Sequence, residues 1–187
     1  YYLEVNPVST TVYTLVSVTD FSGSGTVSGA GVVTVKQLPL GNITSLSPVQ
    51  CYGQADGSAT FVPSQGCMPF SYYWDDGVTT AQNNQLLAGL HSVTVTDANG
   101  CSNVFSTTIS QPDRLQLFPI STNVNCYGTN NGIATVSVTG GVSPYSYQWD
   151  NGQSSQIASG LPAGIYAVTV TDANGCQVVA SVNVGAD

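Results

Sequence analysis

Residues 164–176 read GIYAVTVTDANGC, and residues 93–101 read VTVTDANGC. Val alternates with Thr in both stretches, and a period of two is typical of a strand with one buried face. The Asp-Ala-Asn-Gly that follows predicts a tight hairpin, because an Asn-Gly pair supplies the positive φ that such a turn needs. The predicted turn residues are Asp97, Asn99 and Gly100 in one copy and Asp172, Asn174 and Gly175 in the other.

The hairpin is the end of a longer repeat. Cys51, Trp74, Asp97 and Cys101 recur 75 positions later, without a gap, as Cys126, Trp149, Asp172 and Cys176. The copies share CYG, then GxAT, then PxSYxWDxG, then LxAG, then VTVTDANGC. Since the apolar positions alternate with period two and no stretch shows a helical period with caps, each copy is predicted to be a small all-β sandwich of about seven strands.

Three modules are expected along the 187 residues. Two short Pro-containing joints place the complete copies at 39–112 and 113–187. Residues 1–38 end like the copies, with a strand ending in VTD and then a hairpin, and are predicted to be the C-terminal part of another sandwich. The expected fold class is therefore all-β: tandem Ig-like or PKD-like antiparallel β-sandwich modules in an elongated row. Because half a sandwich exposes strand edges, upstream residues or another chain should complete the first module.

Charge is scarce, with two basic and ten acidic residues and a formal net charge of −8. Nucleic acid is a poor candidate partner, because phosphate binding requires several Lys or Arg side chains. No apolar run approaches the roughly 18 to 20 residues that span a bilayer, so no membrane span is expected. The polar surface is predicted to consist mainly of hydroxyl and amide groups.

Five cysteines leave one without a partner. Their conserved spacing favours disulfides within each copy, Cys51 with Cys101 and Cys126 with Cys176. Each would close a loop of about 50 residues, worth roughly 4 kcal/mol in the chain-entropy model. Such bridges indicate an oxidising, extracellular location. The extra cysteine, Cys67, is interpreted first as a buried apolar filler. A bond to another chain, or competition for Cys51, are the alternatives.

Catalytic chemistry has little support in this sequence. The single histidine, His91, is replaced by Tyr166 in the second copy and is expected to be a strand residue rather than a general base. Structural zinc is disfavoured because there is no Cys-x-x-Cys pair. Asp97 and Asp172 are the candidate ligands for Ca²⁺, but the dense acidic array of a calcium loop is missing. We therefore expect no enzyme activity and no cofactor, with Ca²⁺ as a weak alternative.

Aromatic side chains in each copy admit two interpretations. They are Tyr72 and Trp74 in the first copy and Tyr147 and Trp149 in the second. By analogy with Ig-type domains, the tryptophans are expected to pack in the sandwich core. Alternatively, the rings form a platform for a carbohydrate or protein ligand. Burial of the two tryptophans would exclude the platform.

The motifs CYGxxxGxAT, GGxxPYSYxWDNG and LPAGIYAVTVTDANGC, at 126–176, resemble the SprB-type repeat of Bacteroidetes surface and gliding adhesins. Residues 51–101 are similar, although Gln65-Gly66-Cys67-Met68 replaces the usual Gly-Gly stretch. The resemblance covers about three quarters of the chain. It implies long secreted or cell-surface chains of tandem modules, exported by type IX secretion, with roles in adhesion, gliding motility or filament formation. It implies no catalytic residues.

The sequence thus predicts a non-catalytic, extracellular structural or adhesive segment, the stalk of a large surface adhesin or filament. The alternative function is a carbohydrate- or protein-binding module. Expected partners are neighbouring modules of the same chain and a surface glycan or protein. Lateral packing of copies into a homo-oligomer or filament is an open variant, which the low surface charge favours because few like charges would be brought together.

Overall fold

The computed structural model of the chain describes residues 11–15, 18–20, 23–25, 29–33, 35–125 and 130–186. These residues form sixteen β-strands and no helix, and so contain no helix that could cross a membrane. The fold class predicted from the sequence, antiparallel all-β modules in tandem, is confirmed. The boundaries at residues 39 and 113 stay predictions.

In the part of residues 1–38 that the structure describes, four short strands precede the repeats. They are β1 (Thr11–Leu15), β2 (Val18–Asp20), β3 (Gly23–Gly25) and β4 (Gly29–Val33). Strand β1 pairs antiparallel with β4, and β2 pairs antiparallel with β3. Residues 1–10 and the short gaps between these strands lie outside the described residues.

Among the described residues, each repeat contains six strands, where about seven were expected. The first comprises β5 (Leu40–Ser47), β6 (Gly57–Gln65), β7 (Ser71–Trp74), β8 (Gln82–Leu86), β9 (Gly89–Thr96) and β10 (Ser102–Ile109). The second comprises β11 (Gln116–Thr122), β12 (Gly132–Thr139), β13 (Ser146–Trp149), β14 (Ile157–Leu161), β15 (Gly164–Thr171) and β16 (Gln177–Val184). Two three-stranded antiparallel sheets form each sandwich: β5-β6-β8 with β10-β9-β7, and β11-β12-β14 with β13-β15-β16.

The short strands β7 and β8 are two halves of one passage along the sandwich. Strand β7 starts opposite Thr96, the last residue of β9, and stops opposite Val93. Strand β8 starts opposite Thr60, midway along β6, and runs to Leu86, opposite Gly57. The chain therefore changes sheets between these strands without reversing direction. Strands β13 and β14 repeat this arrangement.

Both tryptophans lie in the cores. Trp74 is 0% exposed and Trp149 is 1% exposed. Their indole N–H groups donate to the backbone carbonyls of Thr80 and Ser155, both at 2.9 Å, so the buried polar atom is satisfied in each case. The first core also contains Val49, Ala59, Phe61, Leu86, Val93, Val95 and Ile109, and the second contains Val124, Ala134, Val136, Ala158, Leu161, Val168, Val170 and Val184. The period-two pattern of the sequence thus marks inward-facing positions.

Candidate functional site

The joint between the two repeats is closed by a disulfide that joins Cys51 to Cys176, with their Cα atoms 5.7 Å apart. The predicted pairing of Cys51 with Cys101 is therefore wrong, and so is that of Cys126 with Cys176. The Cys101 thiol is free in the structure. Cys126 lies outside the described residues. The bridge does not staple one sandwich; it connects two consecutive ones.

The positions of the cysteines along the sandwich explain this correction. Cys51 lies beside the end of β10, because the neighbouring Val49 N–H donates to the Ser110 carbonyl at 2.9 Å. Cys101 directly precedes the first residue of β10. An eight-residue strand is about 26 Å long, which far exceeds the Cα separation that a disulfide permits. Cys51 therefore faces the following repeat, whose turn cysteine lies at the adjoining end.

Hydrogen bonds support the bridge on both sides. The Asn174 side-chain amide of the second repeat donates to the Gln50 carbonyl of the first at 2.8 Å. The linker comprises residues 110–115, between β10 and β11. Within it, the Gln111 side-chain carbonyl accepts from the Gly53 N–H at 2.9 Å. A cleft of about 320 Å³ remains beside the disulfide, and its lining includes Tyr52 and Arg114. The joint therefore has two covalent connections, the linker and the disulfide, with polar contacts between them.

Gly140 and Gly141 let the linker pass close to the second sandwich. Both have positive φ, +69° and +64°. A Cβ at Gly140 would lie 2.1 Å from the Arg114 carbonyl oxygen, and one at Gly141 would lie 2.8 Å from the Asp172 carboxylate. The Gly141 N–H donates to the Asp113 carbonyl at 2.8 Å. The Gly-Gly pair was visible in the sequence as a family feature, but its role in seating the linker was not.

The predicted hairpin residues of the second repeat position Cys176, one of the two cysteines of the joint. The Asp172 carboxylate accepts from the backbone N–H groups of Asn174 and Cys176 at 2.9 Å each and of Val142 at 3.0 Å. The Gly175 N–H donates to the Asp172 carbonyl at 3.1 Å. The Asn-Gly pair supplies the positive φ through its glycine, at +85°. The turn fits a type I turn followed by a glycine bulge.

The first repeat has the same turn, with Gly100 at φ +78°. The Asp97 carboxylate accepts from the N–H groups of Asn99 at 2.9 Å, Cys101 at 3.0 Å and Cys67 at 3.3 Å. Burial raises the pKa of this carboxyl, but the three amide donors and the Lys36 ammonium outweigh burial, so the pKa is lowered from 3.8. These carboxylates act as turn acceptors; Ca²⁺ binding stays an untested prediction.

Cys67 is exposed, so its interpretation as a buried apolar filler is wrong. It lies in the loop between β6 and β7, at the end of the sandwich that carries the Asp97 turn. Its backbone carbonyl accepts from the Ala98 N–H at 2.9 Å. Cys67 is thus remote from Cys51 and close to the free Cys101.

The aromatic platform is not present. Trp74 and Trp149 are buried, and Tyr72 and Tyr147 are partly buried against the two cores. His91, in β9, contacts the Asp75 carboxylate, just after β7, at 3.3 Å and the Leu87 carbonyl, just before β9, at 2.9 Å. Within the described part of the chain, no three His, Cys, Asp or Glu side chains are grouped so that they could hold a metal ion.

The model of the SprB repeat family matches residues 43–79 and 119–154, once in each sandwich, as the sequence resemblance predicted. Each match ends before the hairpin that carries Cys101 in the first repeat and Cys176 in the second. No curated protein matches the chain. Among solved structures, it is similar to three N-terminal domains of the bacteriophage RB49 outer capsid protein Hoc, at 16% identity and a TM-score of 0.43, over 80% of this chain and 59% of that one. An eight-Ig-domain fragment of Down syndrome cell adhesion molecule matches at 11% identity and a TM-score of 0.38, over 96% of this chain and 28% of that one.

Proposed function

We propose that this chain, which carries two copies of the SprB repeat, is a non-catalytic segment of an extracellular stalk in which consecutive repeats are locked end to end. The observation that carries the proposal is the Cys51–Cys176 disulfide, which crosses the joint instead of stapling one sandwich. Disulfides persist in oxidising environments, so the bridge supports a secreted or cell-surface location. The adhesive role, type IX export and gliding belong to this proposal through the SprB resemblance.

A locked joint suits a stalk for a mechanical reason. If a single peptide linker were the only connection, neighbouring modules could bend and rotate relative to each other. A second covalent connection away from the linker restricts both motions, and the bond between Asn174 and Gln50 lies beside it. Tension along the chain is then shared between the linker and the disulfide. The orientation of one repeat relative to the next is then restricted by the disulfide together with the linker.

The chain offers a direct test, because its only basic residues, Lys36 and Arg114, are both exposed and flank the first repeat. After free thiols are alkylated, trypsin should produce the fragments 1–36, 37–114 and 115–187. We expect the last two to remain together without reductant and to separate when dithiothreitol is added. Cleavage after Arg114 cuts the linker, so the disulfide is then the only covalent connection.

The matched control is the Cys176→Ser variant, whose fragments should separate without reductant. If the wild-type fragments also separate without reductant, the locked joint is refuted. The mechanical consequence is measurable by small-angle X-ray scattering of the uncut chain. Reduction should broaden the distribution of distances between modules, and an unchanged distribution would show that the disulfide does not set their orientation.

A further inference from the structure

Cys67 and Cys101 are both hydrogen-bonded through their backbones to Asp97, in the turn of the first repeat at the end away from Cys51. The backbone N–H of Cys67 donates to one carboxylate oxygen of Asp97 at 3.3 Å, and the N–H of Cys101 donates to the other at 3.0 Å. The Cys67 carbonyl also accepts from Ala98, the next residue of that turn. One side chain therefore anchors the backbones of both cysteines.

The equivalent turn of the second repeat has only one cysteine beside it. Cys176, the counterpart of Cys101, is bonded to the preceding repeat. The counterpart of Cys67 is Val142, whose N–H makes the same bond to the turn carboxylate at 3.0 Å. Residues 1–50 contain no cysteine. The additional cysteine thus occurs in the repeat whose turn cysteine finds no partner in the preceding part of this chain.

Solvent reaches this pair of cysteines. Cys67 is exposed and Cys101 is partly exposed. Cys67, with Lys36 and Asn99, lines an open cleft of about 460 Å³ between residues 35–37 and the first sandwich. A small disulfide oxidant can enter such a cleft, and an accessible thiol reacts more readily than a buried one.

We propose that Cys67 and Cys101 form a second disulfide, within the first repeat, alongside the Cys51–Cys176 bond. It gives Cys101 the disulfide partner that its counterpart Cys176 finds in the preceding repeat. One thiolate attacks a sulfur of a small disulfide, such as oxidised glutathione, and releases one glutathione thiol. The second cysteine thiolate then attacks the protein sulfur of the mixed disulfide and releases the other glutathione. Two protein thiols are oxidised, one glutathione disulfide is reduced, and the protons pass to solvent and the released thiols.

The single methionine, Met68, directly follows Cys67 and makes the test specific. The full chain is equilibrated with oxidised and reduced glutathione, alkylated, and cleaved by trypsin and then cyanogen bromide without reductant. This separates 37–68, which holds Cys51 and Cys67, from 69–114, which holds only Cys101. We expect one species that contains 37–68, 69–114 and 115–187, with all three released by reduction.

The Cys67→Val variant copies the residue of the second repeat and is the matched control. It should release 69–114 with an alkylated Cys101, while 37–68 stays bonded to 115–187. Release of alkylated 69–114 from the wild-type chain would overturn the proposal, as would its continued linkage in the variant. Trypsin alone tests the bond across the joint, so failure of the stalk proposal and failure of this one are distinguishable.

Discussion

The Gly140→Ala substitution tests whether the close seating of the linker stabilises the second repeat. The new Cβ would lie 2.1 Å from the Arg114 carbonyl oxygen and 2.7 Å from its carbon, so the linker backbone must move. A left-handed conformation costs a non-glycine residue roughly 1–2 kcal/mol. Loss of the neighbouring bond from Gly141 to Asp113 adds about 1–3 kcal/mol. We therefore expect a total destabilisation of about 2–5 kcal/mol from these two contributions.

Gly152→Ala is the matched control, since Gly152 also has positive φ, +89°, but has nothing within 4 Å of its ideal Cβ. It should lose only the roughly 1–2 kcal/mol of conformational strain. Both variants can be compared by guanidinium unfolding of chains labelled with 5-fluorotryptophan. ¹⁹F NMR then follows Trp149 separately from Trp74, one in each repeat. Equal destabilisation by the two substitutions would refute the role of the linker contact.

Three further predictions concern the cores, the turn and the bridge. Trp149→Ala removes a side chain that is 1% exposed and should cost about 3–5 kcal/mol in guanidinium unfolding followed by far-UV circular dichroism, since the fluorine probe of the second repeat is lost with the side chain; a loss below about 1 kcal/mol would contradict its core role. The lowered pKa of Asp97 stabilises the fold above pH 3.8, and this stabilisation is lost as the pH falls through the folded-state value. In Asp97→Asn, the melting temperature should fall less steeply as the pH is lowered through that range. The same pH dependence in the variant and the wild type would contradict the stabilising role of the Asp97 carboxylate. Reduction of the Cys51–Cys176 bond should leave the far-UV circular dichroism of the repeats intact, because each has its own core; unfolding on reduction would mean that the bond holds a sandwich together.

Much of each sandwich could be predicted from local sequence. Val93 and Val95 are 0% exposed, as their alternation with threonine predicted, and the Asp-Ala-Asn-Gly segments form the expected hairpins. Such features depend on residues that are neighbours in the chain. Within each Asn-Gly pair the glycine carries the positive φ, at Gly100 and Gly175, which fits a turn that ends in a glycine bulge.

The candidate site was predicted less well, because its residues come from opposite ends of different modules. The repeat spacing suggested Cys51 with Cys101, but equal spacing in two copies fits a bond within a copy and a bond between copies equally well. The contact of Asn174 with Gln50 connects residues whose proximity depends on how one sandwich follows another, and that of Gly140 with Arg114 depends on where the linker lies against the second sandwich. No local pattern in the sequence encodes that relation.

The sequence by itself determined the repeat, the strand periodicity, the hairpin turns and the buried tryptophans, since each follows from short-range geometry and from hydrophobic burial. Tertiary structure alone decided which cysteines meet. Strands β7 and β8 run in the same direction, one in each sheet. If every strand instead reversed the direction of the one before it, the turn between β9 and β10 would lie at the opposite end of the sandwich. The crossing between β7 and β8 puts Cys101 at the far end of its sandwich from Cys51 and brings Cys176 of the next repeat within bonding distance instead.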